Sequence, residues 1–171
     1  MGMERRSEIL HHIQGKPGIT FRELARELGI GIGDLQYHLY RLEKEGKVFS
    51  RKIGKRRYLF PADFEEKAQR LLIAISTETR RRILLLLMEG PLTQSEIAKR
   101  LGLSQPTVSY HIGELVKLGI VDARKEGKSV TYNLSHDPRI IARVIREYRP
   151  SLWEKLADNL IDMLTGMGDE E

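Results

Sequence analysis

Apolar residues recur at steps of three and four along most of this chain, and glycine or proline closes each run. Arg80 to Met88 reads as a strongly apolar helix, with Ser76 and Thr77 as capping candidates before it and Gly90-Pro91 stopping it. Thr93 then caps a short helix carrying Ile97, Ala98 and Leu101, closed by Gly102 where a positive φ is required. Ser104 caps a further helix over Gln105 to Leu118, whose first turn tolerates Pro106 because the amide proline lacks would be unpaired there. Val108, Ile112, Leu115 and Leu118 form its apolar stripe, leaving Gln105, Thr107, Ser109 and Tyr110 on another face. After Gly119 the period changes. Asp122 to Lys125, a Glu126-Gly127 turn and Lys128 to Leu134 predict a hairpin with a basic tip.

The same frame occurs 73 residues earlier. Thr20 to Gly54 aligns without a gap on Thr93 to Gly127 and is identical at 14 of 35 positions, so the chain is an internal repeat. Its first copy predicts helices over Arg5 to Gln14, Phe21 to Leu28 and Asp34 to Glu45, then a hairpin turning at Ile53-Gly54 and stopped by Pro61. Where the second copy has Ser104, Gln105, Pro106 and Thr107, the first has Gly31, Ile32, Gly33 and Asp34. Polar readers are lost, and Asp34 is expected to cap its own helix and complement the dipole.

Two helices joined by a short glycine-containing turn form a helix-turn-helix, and a hairpin directly after the second helix is a wing. Short polar side chains at a helix amino terminus are what enters a major groove, although an ordinary capped and solvated face shows the same pattern. The basic hairpin shifts the balance toward nucleic acid. Gln105, Thr107, Ser109 and Tyr110 are therefore the candidate base readers, and Arg124, Lys125 and Lys128 the candidate phosphate contacts. The first copy offers Gln36 and Tyr37 on its helix and Arg51, Lys52, Lys55, Arg56 and Arg57 on its wing.

Ser76 to Leu86 (STETRRRILLL), Ser104 to Leu115 (SQPTVSYHIGEL) and Gly119 to Val121 (GIV) resemble the ArsR-type winged-helix regulators over about 60 residues. That resemblance implies a winged helix and DNA binding, and leaves the sensed signal open. Family members commonly sense metals through Cys or through His and carboxylate clusters. This chain departs from that, with no Cys and only His136 beside Asp137 in its carboxy-terminal region.

Charge follows the repeats: +6 over residues 1–62, −1 over 63–75, +3 over 76–135 and −3 over 136–171, within a total of +5. The absence of cysteine excludes disulfides and thiolate metal sites. No apolar run approaches the roughly 20 residues of a bilayer crossing and no signal-like amino terminus is seen, giving an expectation of cytoplasmic location. High charge with few Asn and Gln residues has a thermophilic cast. Gly29 to Gly33 resembles a phosphate-cradling loop, but no strand precedes it, so turn chemistry is its reading. His38 and His111 occupy equivalent places and are expected to pack or to bond backbone or phosphate rather than to ligate metal. No nucleophile, base and orienter set stands out, so neither catalysis nor a cofactor is expected.

Phe64, Ala68, Leu71, Leu72 and Ile75 give a connecting segment helical periodicity. Beyond His136, one helix carries Ile140, Ile141, Val144, Ile145 and Tyr148. A second, from Ser151, places Trp153, Leu156, Leu160, Met163 and Met167 along a seam. The seam fits either dimerisation or packing onto the same chain, and the acidic tail after a basic module favours a homodimer. The expected fold is mainly α with small β-hairpin wings: winged helices over 1–62 and 76–135, a connecting helix over 63–75 and carboxy-terminal helices over 136–171. The expected function is DNA-binding transcription regulation. Docking onto the transcription or replication machinery and binding of structured RNA stand as the alternatives.

Overall fold

The computed structural model describes residues 2–168, with side chains through Asp158 and at Ile161. The chain divides into two compact units, Met1–Gln69 and Arg70–Glu171. In the first, α1 (Gly2–Gly15), β1 (Ile19–Thr20), α2 (Phe21–Leu28) and α3 (Ile32–Lys44) precede the hairpin β2 (Val48–Ile53) and β3 (Arg56–Pro61). Helix α4 (Glu66–Ala74) crosses the division. The second unit continues with α5 (Glu78–Leu87), β4 (Leu92–Thr93), α6 (Gln94–Leu101), α7 (Gln105–Lys117) and the hairpin β5 (Val121–Glu126) and β6 (Ser129–Leu134). It ends on α8 (Pro138–Tyr148) and α9 (Pro150–Gly168).

Local chemistry sets these boundaries. The Thr20 hydroxyl accepts the Glu23 amide at 3.2 Å, starting α2, and Gly29 ends it in the left-handed region at φ 64. In the second unit Thr93 and Glu96 form a reciprocal capping box on α6, Gly102 closes that helix at φ 66, and Ser104 caps α7 through the Thr107 amide. Gly29 and Gly102 thus make the same turn in both helix-turn-helix pairs, one that a Cβ would strain.

Burial follows the apolar spacing. Ile9 and Ile13 of α1, Leu24 of α2, and Leu35, Leu39 and Leu42 of α3 close on Val48 and Leu59 of the hairpin. The equivalent stripe of α7, Val108, Ile112, Leu115 and the following Leu118, is buried, with Ile83, Leu84 and Leu87 of α5 and Ile97 of α6. The buried face of α8 comprises Ile141, Ala142, Val144 and Ile145, and α8 packs against α9, where Arg146 lies over the Trp153 ring at 5.9 Å. Trp153 and Leu156 are half-buried. The side chains of Leu160, Met163 and Met167, the rest of the expected seam, lie outside the described residues.

Four expectations are corrected. Helix α3 begins at Ile32 with Gly31 as its N-cap and no side-chain cap, so Asp34 lies in the first turn instead of capping it. Its carboxylate is placed to meet the helix dipole, but the backbone has already turned helical two residues earlier. The hairpin turns fall at Gly54-Lys55 and Gly127-Lys128, one residue later than expected, because the glycine of each two-residue loop supplies positive φ (62 and 63) at its first position. Helix α1 starts at Gly2 instead of Arg5. Finally, each wing is part of a three-stranded sheet, ordered β1-β3-β2 and β4-β6-β5, since Ile19↔Leu59 and Leu92↔Tyr132 pair antiparallel. Two-residue strands show no alternation to read in a sequence.

Candidate nucleic-acid interface

In the second unit the amino-terminal half of α7 exposes Gln105, Pro106, Ser109 and Tyr110, with Thr107 partly covered. A small polar network fixes their base. Gln94 on α6 donates to the Gln105 side-chain oxygen at 3.0 Å and to its backbone carbonyl at 3.2 Å, while the Gln105 amide donates to the Ser95 hydroxyl at 3.1 Å. The Ser104 and Thr107 hydroxyls lie 2.8 Å apart. Gln94 and Ser95 are additions to the sequence-derived set, placed by the helix-turn-helix geometry that brings the first turns of α6 and α7 together.

The adjoining wing carries Arg124 and Lys125 on β5 and Lys128 in the turn, all exposed, and of β5 only Val121 is buried. Among the described residues none of the three forms an ion pair, so their charge is directed to solvent. Tyr110 stands 59% exposed, its ring edge-on to His111 at 5.2 Å. Burial, then the nearby Arg80 guanidinium, hold the His111 imidazole below its ordinary value, with Glu114 pulling the other way. The buried Nδ1 atoms of His38 and His111 have no hydrogen-bond partner, and no cluster of metal-binding side chains occurs among the described residues. His38 is buried edge-on against Tyr37, as His111 stands edge-on against Tyr110.

The first unit distributes its candidates differently. Arg57, only 24% exposed at its side chain, pairs with Glu43 at 2.9 Å, donates to Gln36 at 3.2 Å and lies over the Phe21 ring at 5.6 Å. Arg51 donates to Gln69 at 3.3 Å. Two of the five wing cations are therefore engaged inside their own unit, and Gln36 spends its carbonyl on one of them. Lys52, Lys55 and Arg56 stay exposed, as does Tyr37. With Arg22 and Arg26 of α2, these three wing cations line a groove of about 730 Å³ between α2, α3 and the wing. Those two arginines were not singled out from the sequence, although their i, i+4 spacing opposite the buried Leu24 and Ala25 was the available signal. Glu23, also in the groove, is pushed up by burial but brought below its ordinary value overall by Thr20 and Lys16, so it stays ionised.

The family described as "Bacterial regulatory protein, arsR family" matches residues 77–123, and one described as an N-terminal HTH domain matches residues 3–72. An uncharacterised HTH-type transcriptional regulator of Methanocaldococcus jannaschii is 35% identical over 132 residues, covering 77% of this chain. The chain spans only 34% of that relative's length. The transcriptional repressor SdpR of Bacillus subtilis is 36% identical over 62 residues, which are 36% of this chain and 69% of the relative. Among solved structures, HlyU of Vibrio cholerae is 38% identical with a TM-score of 0.43, over 48% of this chain and 91% of that one. No helix among the described residues is long and apolar enough to cross a membrane.

Proposed function

We propose that this chain, which belongs to the ArsR family of winged helix-turn-helix transcription regulators, binds operator DNA as a homodimer and reads its sequence through α7. The observation that carries this reading is the first turn of α7: a capped amino terminus presenting Gln105, Thr107, Ser109 and Tyr110 beside a wing with free cations. A helix end of this kind directs backbone amides at phosphate while its side chains reach base edges. Gln105, held by Gln94 and Ser95, is preorganised for that task. Arg124, Lys125 and Lys128 hold the adjacent backbone, which positions the module without reading sequence.

The first unit adds affinity through Lys52, Lys55 and Arg56, with Arg22 and Arg26 behind them. The apolar spacing of the α9 sequence supports pairing of two chains, which links two half-sites. The protein acts by binding alone, without catalysis. Selection of bound genomic fragments, followed by competition against unrelated duplexes and structured RNA, tests the proposal. A recurring duplex motif that outcompetes both is the expected result; equal competition by random duplex removes sequence reading, and stronger competition by RNA removes DNA as the target.

A further inference from the structure

We infer that the first unit holds an unpaired DNA strand, stacking its bases on Tyr37 and Tyr40 and its phosphates along the basic groove beside α3. This rests on the nucleic-acid reading above and deepens it. Helix α3 is poorly made for a duplex. Its first turn presents Gly31 without a side-chain cap, Ile32 at 59% exposure and the Asp34 carboxylate, where α7 has Ser104, Gln105 and Thr107. Base-pair edges are read by hydrogen-bonding groups, and of these three residues only Asp34 supplies a side-chain one, an acceptor suited to cytosine alone.

What α3 does present is aromatic. Tyr37 and Tyr40 are 56% and 58% exposed and lie three residues apart, hence side by side on one helical face. The Tyr37 ring is steadied edge-on by His38 at 5.4 Å, and the Lys44 ammonium lies 5.7 Å over one face of Tyr40. Two ordered rings with free faces offer nothing to a paired base, whose faces are covered by its neighbours, but they stack well with unpaired ones. The second unit has no such platform, because the residue one turn beyond Tyr110 is Gly113.

The charge lies alongside. Gln36 lines the groove and Tyr40 stands one turn beyond it on the same row of α3, while Tyr37 and Tyr40 themselves line a separate depression with Arg41, Lys44 and Glu45. Of the six cations lining that groove Arg57 is tied to Glu43, leaving five against the single carboxylate of Glu23, which is itself paired with Lys16 at 3.3 Å. A cationic track beside stacking rings is the common design for single strands, sequence-tolerant because every base has a π-face. The strand is assigned as DNA because the same chain carries the operator-reading unit.

The test uses the full chain in fluorescence anisotropy with a labelled mixed-sequence single strand, its RNA equivalent and the operator duplex. Tyr37→Ala with Tyr40→Ala should weaken single-strand binding by about 20-fold or more, from a loss of about fivefold or more per base. Phenylalanine at both positions should preserve it, and Tyr40→Ala alone should leave operator affinity within about twofold of the parent. Tyr40→Ala alone, which disturbs no ring contact with His38, keeps the test open if the double alanine variant melts. Unchanged single-strand affinity in the alanine variants overturns the proposal. So does an equal loss for the duplex, a loss in the phenylalanine variant, or tighter binding of the RNA. Failure of the operator reading shows separately, as Gln105→Ala leaving duplex discrimination intact.

Discussion

Arg57 separates two meanings of a basic wing. The sequence offers it as one of five phosphate contacts, but in the folded unit its guanidinium ties the wing to α3 through Glu43 and Gln36 and covers Phe21. Arg57→Ala removes a partly shielded ion pair worth at most about 1 kcal/mol and a ring contact worth about 0.5–1 kcal/mol. The bond to exposed Gln36 adds little. The expected loss is therefore about 1–2 kcal/mol in the first unit, and at about 4–8 °C per kcal/mol its thermal transition falls by several degrees. Lys52, Lys55 and Arg56 make no such ties, so changing each to Ala should shift stability by less than about 0.5 kcal/mol. Their signature is in DNA binding: each phosphate neutralised contributes about 0.9 to the slope of log affinity against log salt. The assay pairs thermal melts with duplex titrations across a salt series. Arg57→Ala should lower the transition and leave the salt slope unchanged, and the Lys52, Lys55, Arg56 triple variant should do the reverse. Parent-like stability in Arg57→Ala, with a salt slope reduced as much as in Lys55→Ala, would refute the strap.

Ser104→Ala should cost about 1 kcal/mol in the second unit's melt by removing the α7 cap, with Ser104→Asp restoring most of it; equal stability in all three would remove that role. His111 has a folded pKa below its ordinary 6.5. The unfolded chain therefore takes the proton first, and the His111 contribution is present above about pH 6.5 and lost as pH falls toward the folded value. Melts of the parent between about pH 7.5 and 5.5 should show a steeper decline than those of His111→Gln, and parallel curves would contradict the assignment. Deleting residues 151–171 should give a monomer in sedimentation and weaken operator binding, whereas a persisting dimer with unchanged affinity moves the pairing surface elsewhere, with α4 next in line.

The frame of the fold was legible because it is written in spacing and punctuation. The stripe at Val108, Ile112, Leu115 and Leu118 is buried as its period requires, and Thr93, Gly102 and Ser104 bound their helices through the hydrogen bonds and left-handed turn that those residue types favour. Ends governed by backbone geometry alone were less legible. Gly31 caps α3 without a side chain to announce it, and β1 and β4 are too short for a pattern. The candidate interface was visible as composition, but not its internal division of labour. Whether a wing cation faces solvent or folds back depends on partners distant in sequence, as Glu43 is for Arg57 and Gln69 for Arg51. Likewise the clasp of Gln94 and Ser95 on Gln105 arises only when two capped helix starts meet.

The central claim is that α7 reads base sequence. Its most direct measurement is the ratio of operator to random-duplex affinity, at one fixed salt concentration, for the parent, Gln105→Ala and Tyr110→Ala. Loss of a good base contact should reduce that discrimination by about 1–3 kcal/mol, with random-duplex affinity nearly unchanged because the wings are intact. Discrimination equal to the parent in both variants would contradict the account.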